Sequence, residues 1–157
     1  MVVYETAKIL KETKLETDDD NWHIGDFCLV TVPHLVIGSG SQVNAHTSIL
    51  GRASVYIGRN SVVSYYCLLL TSSDTPRPPN RMHSDYAPES KRLIRTGDIR
   101  IGDNCFVGAH STLMPSVLVP DDTVIPAYSY VDTRGGSLRI HSLKDIVSNL
   151  EGISPRT

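Results

Sequence analysis

Three cysteines and six histidines are the side chains of this sequence best suited to nucleophilic attack or proton transfer at neutral pH. Their spacing argues against the first use and leaves the second open. Cys28, Cys67 and Cys105 each lie four residues after a branched aliphatic, namely Ile24, Val63 and Ile101. The odd number gives no disulfide framework and the spacing is not that of a zinc site. A free cysteine in such a recurring setting is expected to be a small apolar filler. His46 and His110 share another position, three residues after a core aliphatic, with Tyr66 and Tyr128. These four rings are expected to stack as a column along one outer side of the molecule. His23, His34 and His141 have no chemical neighbours in the sequence and are read as incidental. His83 differs, because it lies in a stretch without any repeat. An imidazole with an ordinary pKa of about 6.5 is well matched to general-base work.

The elements that position these groups follow from a six-residue period. Branched aliphatics recur at Ile37, Val43 and Ile49, then after a two-residue slip at Ile57, Val63 and Leu69. They resume at Ile101, Val107, Leu113, Val119, Ile125 and Val131. Four residues after most of them stands something small: Ser41, Thr47, Ala53, Ser61, Cys67, Cys105, Ser111, Thr123 and Ser129, with Val117 a larger exception. Neither a helix nor a hairpin strand has this period, but a parallel β-helix does. Each hexad supplies one side of a triangular coil, with the aliphatic inside and the small residue at the corner. Successive coils stack at about 4.8 Å, each held by its neighbours.

An earlier coil is expected to start at Ile24 and Val30, with one extra residue before Ile37. The reading is one domain over residues 1–157. It comprises an N-terminal cap (1–22), a β-helix (23–134) interrupted by a long loop (72–98), and a C-terminal tail (135–157). Tyr4, Ala7, Ile9 and Leu10 fit one face of a short helix in the cap. Ile140, Leu143, Ile146, Val147 and Leu150 fit an amphipathic helix in the tail. The loop, with Pro76, Pro78 and Pro79 clustered, is where a rigid scaffold would carry a binding site. The formal charge of −2 gives no footprint for nucleic acid. The sequence shows no apolar run of membrane-spanning length and no signal peptide, so a soluble, cytoplasmic protein is expected.

The hexads, the loop and the run Ile101-Gly102-Asp103-Asn104-Cys105-Phe106-Val107-Gly108-Ala109-His110 resemble the hexapeptide-repeat acyltransferases. The likeness covers about residues 24–134 and is greatest to the galactoside and maltose O-acetyltransferase group and related polysaccharide O-acetyltransferases. It implies an all-β, left-handed parallel β-helix assembled as a homotrimer. It also implies acetyl-CoA in the groove between neighbouring β-helices and an acceptor near the long loop. The implied activity is acetyl transfer to a hydroxyl of a sugar or polysaccharide precursor.

In that group a catalytic His is assisted by an Asn thirty residues earlier. Val43-Asn44-Ala45-His46-Thr47-Ser48-Ile49 matches the strand bearing the Asn, which falls at Asn44. Thirty residues on, in Leu70-Thr71-Ser72-Ser73-Asp74-Thr75-Pro76, the His position holds Asp74. The Ser-Ser-Asp run resembles a subgroup of the polysaccharide O-acetyltransferases. An unperturbed Asp is weaker than His as a base by about two and a half pKa units. Asp74 is therefore expected either to serve as a base whose cleft raises its basicity, or to orient a His as carboxylates do in triads. His83 is the first such candidate and His110 the second. The resemblance also implies cofactor contacts. Phe106 stands at the family's usual Trp position, and Ala109 and Ala127 match small residues beside the pantetheine arm. Pro126-Ala127-Tyr128-Ser129 replaces Gly-Ala-Gly-Ser, so Tyr128 falls beside the cofactor path. Arg134 is placed to meet nucleotide phosphates.

Three other readings stand beside this one. Asp74-Thr75-Pro76-Arg77 resembles, one residue short, the Asp-x-x-Pro-Arg loop of enzymes that N-acetylate nucleotide-linked amino sugars. An amine that is already deprotonated needs less help from a base. A zinc enzyme like the γ-type carbonic anhydrases shares the β-helix but needs three His. His46-Thr47-Ser48-Ile49-Leu50-Gly51 lacks the second of them, so no metal is expected. A non-catalytic scaffold would account for Asp74 in place of His, Tyr128 in place of Gly, and Pro120 and Pro126 in place of Gly.

Overall fold

The structure, a computed structural model, describes residues 2–75, 86–145 and 147. Its first coil comprises β1 (Val2–Val3), β2 (Lys8–Ile9) and β3 (Lys14–Thr17). The second comprises β4 (His23–Ile24), β5 (Leu29–Val30) and β6 (His34–Ile37), and the third β7 (Gln42–Val43), β8 (Ser48–Leu50) and β9 (Val55–Ile57). The fourth coil starts with β10 (Val62–Val63) and β11 (Leu68–Leu70). The chain then leaves through β12 (Ser72–Asp74), returns through β13 (Ile94–Thr96) and completes the coil with β14 (Ile99–Ile101). The fifth comprises β15 (Phe106–Val107), β16 (Thr112–Leu113) and β17 (Leu118–Val119). The sixth holds β18 (Val124–Ile125) and β19 (Tyr130–Arg134), and the chain doubles back as β20 (Ser137–His141).

Strands stack into three parallel faces. The first is β1-β4-β7-β10-β15-β18, the second runs from β2 through β5, β8, β11 and β16 to β19, and the third is β3-β6-β9-β14-β17. Register follows the hexads. Ile37 pairs with Ile57, Ile57 with Ile101, and Ile101 with Val119, so each aliphatic lies on its counterpart in the next coil. Val43, Ile49, Val63, Leu69, Val107, Leu113, Ile125 and Val131 are completely buried. The all-β parallel β-helix expected from the period is the fold observed.

The small corner residues are more than space-savers. Ser41 donates to the Gly58 carbonyl, Thr47 to that of Ser64, Ser61 to that of Gly102 and Ser111 to that of Pro126. The thiols of Cys28, Cys67 and Cys105 do the same toward the carbonyls of Asn44, Gly108 and Pro120. Each of these seven side chains therefore satisfies a backbone acceptor of the following coil that the strand ladders do not reach. Burial pushes all three thiols above their ordinary pKa. They remain protonated at neutral pH, in keeping with a structural role.

Three sequence expectations need correction. The N-terminal segment is not a helical cap but a full coil: Lys8–Ile9 pairs with Leu29–Val30, and Lys14–Thr17 with His34–Ile37. The long loop has regular structure at its base, where β12 and β13 pair antiparallel and place Ser72, Ser73 and Asp74 opposite Thr96, Arg95 and Ile94. In the tail, Ile140 belongs to β20, which pairs antiparallel with β19. Helix begins only at residue 143, because Ser142 and Asp145 cap each other there. Leu138 and Ile140 on β20 cover one end of the core, and Ala7, Ile9 and Leu15 cover the other. No helix among the described residues is long and apolar enough to cross a membrane.

Candidate active site

Most departures from the six-residue period occur at one corner, between the second and third faces; one further extra residue lies between β3 and β4. The second coil has its extra residue between β5 and β6, the third its two extra residues between β8 and β9, and the fourth inserts the whole excursion between β11 and β14. Residues that leave the ladder need other hydrogen-bond partners. Ala53 N–H donates to Thr71 Oγ1 at 3.1 Å and Ser54 N–H to Asp98 Oδ1 at 3.0 Å. Gly51 adopts φ 125, and a Cβ there would lie 2.6 Å from the Ser72 nitrogen. Only glycine allows β12 to start this close to the third coil.

The stacked insertions enclose a polar cavity of about 320 Å³, lined by Thr31, Gly51, Arg52, Ser72, Ser73, Asp74, Arg92 and Ile94. Asp74 ends β12 at its rim. Nη2 of Arg92 donates to both of its carboxylate oxygens at 3.2 Å. The Arg92 side chain is only 7% exposed and that of Asp74 is 29% exposed. The guanidinium is therefore enclosed behind the carboxylate, which is the more accessible of the pair. On the other side of the ribbon, Ser73, Asp74, Thr75, Arg95, Met114, Tyr130 and Asp132 line a second cavity of about 310 Å³. Asp74 thus borders both.

The remaining candidates lie elsewhere. Asn44 follows β7 on the first face, so it stands at the corner between the first and second faces, the width of the second face away from Asp74. His110 occupies the same corner as Asn44, and within one chain it is not the partner that orients Asp74. His83 lies outside the described residues. No group of three His, Cys, Asp or Glu with metal-holding geometry is present among the described residues.

That second corner carries the expected ring column. His46 stacks on Tyr66 with centroids 4.6 Å apart, Tyr66 on His110 at 5.0 Å, and His110 on Tyr128 at 4.8 Å. Phe27 extends the stack beneath His46 at 5.0 Å. The sequence reading omitted it, although Phe27 lies the same three residues after Ile24. All five residues have positive φ, between 56 and 61. Ala127 is exposed and Ala109 half-buried beside the column, and Phe106 is exposed on β15. Arg134 belongs to the other corner, at the end of β19. The residues expected to hold acetyl-CoA are therefore divided between two corners of one chain.

Arg92 and Arg95 are absent from the sequence-based site. Neither position repeats, and the contact of Arg92 with Asp74 spans the entire excursion, so no local pattern marks it.

The fold is a hexapeptide-repeat β-helix, shared with AntD, an N-acyltransferase from Bacillus cereus. A single-residue variant of AntD in complex with dTDP-4-amino-4,6-dideoxyglucose and coenzyme A superposes with a TM-score of 0.65 at 18% identity, covering 92% of this chain and 84% of that one. A second variant, bound to dTDP and coenzyme A, gives 0.58 at 16% identity over 96% and 89% of the two chains. The polysialic acid O-acetyltransferase OatWY overlaps more loosely, with a TM-score of 0.40 at 14% identity over 87% and 83%. No protein-family model matches the sequence, and no curated protein matches it.

Proposed function

We propose that this chain is a coenzyme A-dependent acyltransferase, with acetyl-CoA as donor and a sugar as acceptor, acting as a homotrimer. The observation that carries the reading is Asp74, a carboxylate at the rim of a polar cavity, backed by a buried guanidinium. The fold shared with AntD, an N-acyltransferase crystallised with an amino sugar nucleotide, supports it. Phe106, Ala109, Ala127 and Tyr128 would border the coenzyme at one corner. A neighbouring copy would bring that corner, with Asn44 and His110, to the Asp74 corner of the first.

The acceptor can be a sugar hydroxyl or a sugar amine, and the Asp74 geometry favours the amine. A hydroxyl needs a strong base while its oxygen attacks the thioester carbonyl. Asp74 has no described His beside it, and Arg92 already occupies both of its oxygens. An amine reaches the site largely as ammonium, which a fixed carboxylate attracts and from which it accepts a proton. The freed lone pair attacks the carbonyl, the C–N bond forms and the C–S bond breaks; the second proton of the nitrogen passes to the departing thiolate of coenzyme A, and the first leaves Asp74 for solvent. Thiol release from acetyl-CoA, measured with matched amino sugars and neutral sugars, tests the reading. Release with the amino sugars alone is the expected result. Release with neutral sugars alone would restore the hydroxyl reading. No release, together with no coenzyme A binding by a folded protein, would leave the scaffold reading.

A further inference from the structure

The β12–β13 ribbon and the β19–β20 hairpin both depart from the hexapeptide repeat, and they meet. Nη2 of Arg95 donates to Thr133 Oγ1 at 2.8 Å and to the Thr133 carbonyl at 3.3 Å. Between them lies a cavity of about 330 Å³ lined by Thr75, Arg95, Asp132, Thr133, Arg134 and Arg139. Three guanidiniums thus face one carboxylate, in a chain whose formal charge is −2. That carboxylate is already engaged. Arg139 Nε donates to Asp132 Oδ1 at 2.9 Å, its Nη2 bonds Oδ2, and His141 Nε2 lies 3.6 Å from Oδ1. Arg95 uses only Nη2, so its other donors are uncommitted among the described residues. The Arg134 side chain makes no hydrogen bond or ion pair among them.

Two anchored guanidiniums, Arg95 and Arg139, and the uncommitted one of Arg134, around an acid already engaged, match the chemistry of a phosphate ester. The neighbouring 310 Å³ cavity shares Thr75, Arg95 and Asp132 with this one and reaches Asp74. We propose that the Arg95–Arg134–Arg139 cleft binds the phosphate groups of the acceptor, so that the acceptor is a sugar linked to a phosphate or nucleoside diphosphate. Its reacting substituent then extends to Asp74. The proposal rests on the acyl-transfer reading for the role of Asp74, but the binding site itself does not.

Titration calorimetry on the full chain tests it, with dTDP, thymidine, coenzyme A and dephospho-coenzyme A as probes. Arg134→Gln is the main variant, because Arg134 is exposed and unpaired among the described residues, so its loss should leave folding intact. Arg95→Gln is the second variant. The expected result is that dTDP binds, thymidine does not, and each variant weakens dTDP about tenfold while leaving coenzyme A unchanged. Unchanged dTDP affinity in both variants, or no dTDP binding by the wild type, would overturn the proposal. Weakened coenzyme A with unchanged dephospho-coenzyme A and dTDP would also overturn it, by assigning the cleft to the donor's 3′-phosphate. Arginine-dependent dTDP binding by a protein that neither binds coenzyme A nor releases thiol would uphold the cleft and remove the acyltransferase reading instead.

Discussion

Two kinds of residue at the corners carry the account, and they differ in what they contribute. Asp74 is the residue to which the proposed function assigns chemistry, because its carboxylate is accessible while its partner Arg92 is enclosed. The ring column is placed for stability. Tyr66 adopts φ 57 and stacks against His46 on one face and His110 on the other. A left-handed conformation costs an L-residue about 1–2 kcal/mol, and each stacked pair returns about 0.5–1.5 kcal/mol. Tyr66→Ala removes both stacks and keeps the strained backbone, so it should destabilise the fold by about 1–3 kcal/mol. Tyr66→Gly removes the same stacks but tolerates positive φ, and should be about 1 kcal/mol less damaging than Ala. Urea unfolding of the two variants measures this, and an alanine variant as stable as wild type would show that the rings contribute nothing. The column was legible in the sequence because its members recur at a fixed offset from the core aliphatics. The Arg92–Asp74 contact was not, since it closes a non-repeating stretch of the chain.

At the scale of elements, the coil corners depend on donors that reach the next coil, whether hydroxyl or thiol. Burial raises the three thiols above their ordinary value, so the native state holds those protons longer than the unfolded chain does. Their contribution is therefore complete below the ordinary thiol pKa of about 8.5 and is lost as pH rises beyond it. The denaturation midpoint should fall between neutral pH and about pH 10. A triple Cys28→Ser, Cys67→Ser, Cys105→Ser variant, which keeps a donor at each corner, should show less of that fall. An equal fall in both proteins would remove the cysteines from the pH dependence. The elements outside the regular repeat were the least legible. The first coil keeps the period only from Val3 to Ile9, and its partner for Ile37 is Thr17, eight residues after Ile9. Tyr4, Ala7, Ile9 and Leu10 also satisfy helical spacing, and in so short a segment only pairing with the second coil decides between the two. The tail divides at Ser142, a capping residue whose effect outweighs the apolar spacing that runs through it.

For the whole molecule, the period was enough to specify the architecture, because every coil repeats the same solution to the same packing problem. The period does not encode how the corners are used. Most of its interruptions accumulate at one corner and leave Asp74 there with Arg134, while Asn44, His110 and the other expected coenzyme contacts occupy another. Assembly is the simplest way to unite the two corners in one site. Light scattering of the purified 17.3-kDa chain should give the mass of a trimer, and a stable monomer that still transfers acyl groups would show that one chain suffices.

Thiol release from acetyl-CoA with an amino sugar nucleotide, compared between wild type and Asp74→Asn, tests the central claim most directly. Asn preserves shape and hydrogen-bonding capacity but removes the charge and the proton acceptor. The wild type should turn over, and the variant should lose at least about tenfold in rate while remaining folded. A variant as fast as the wild type would remove Asp74 from the chemistry and contradict the account.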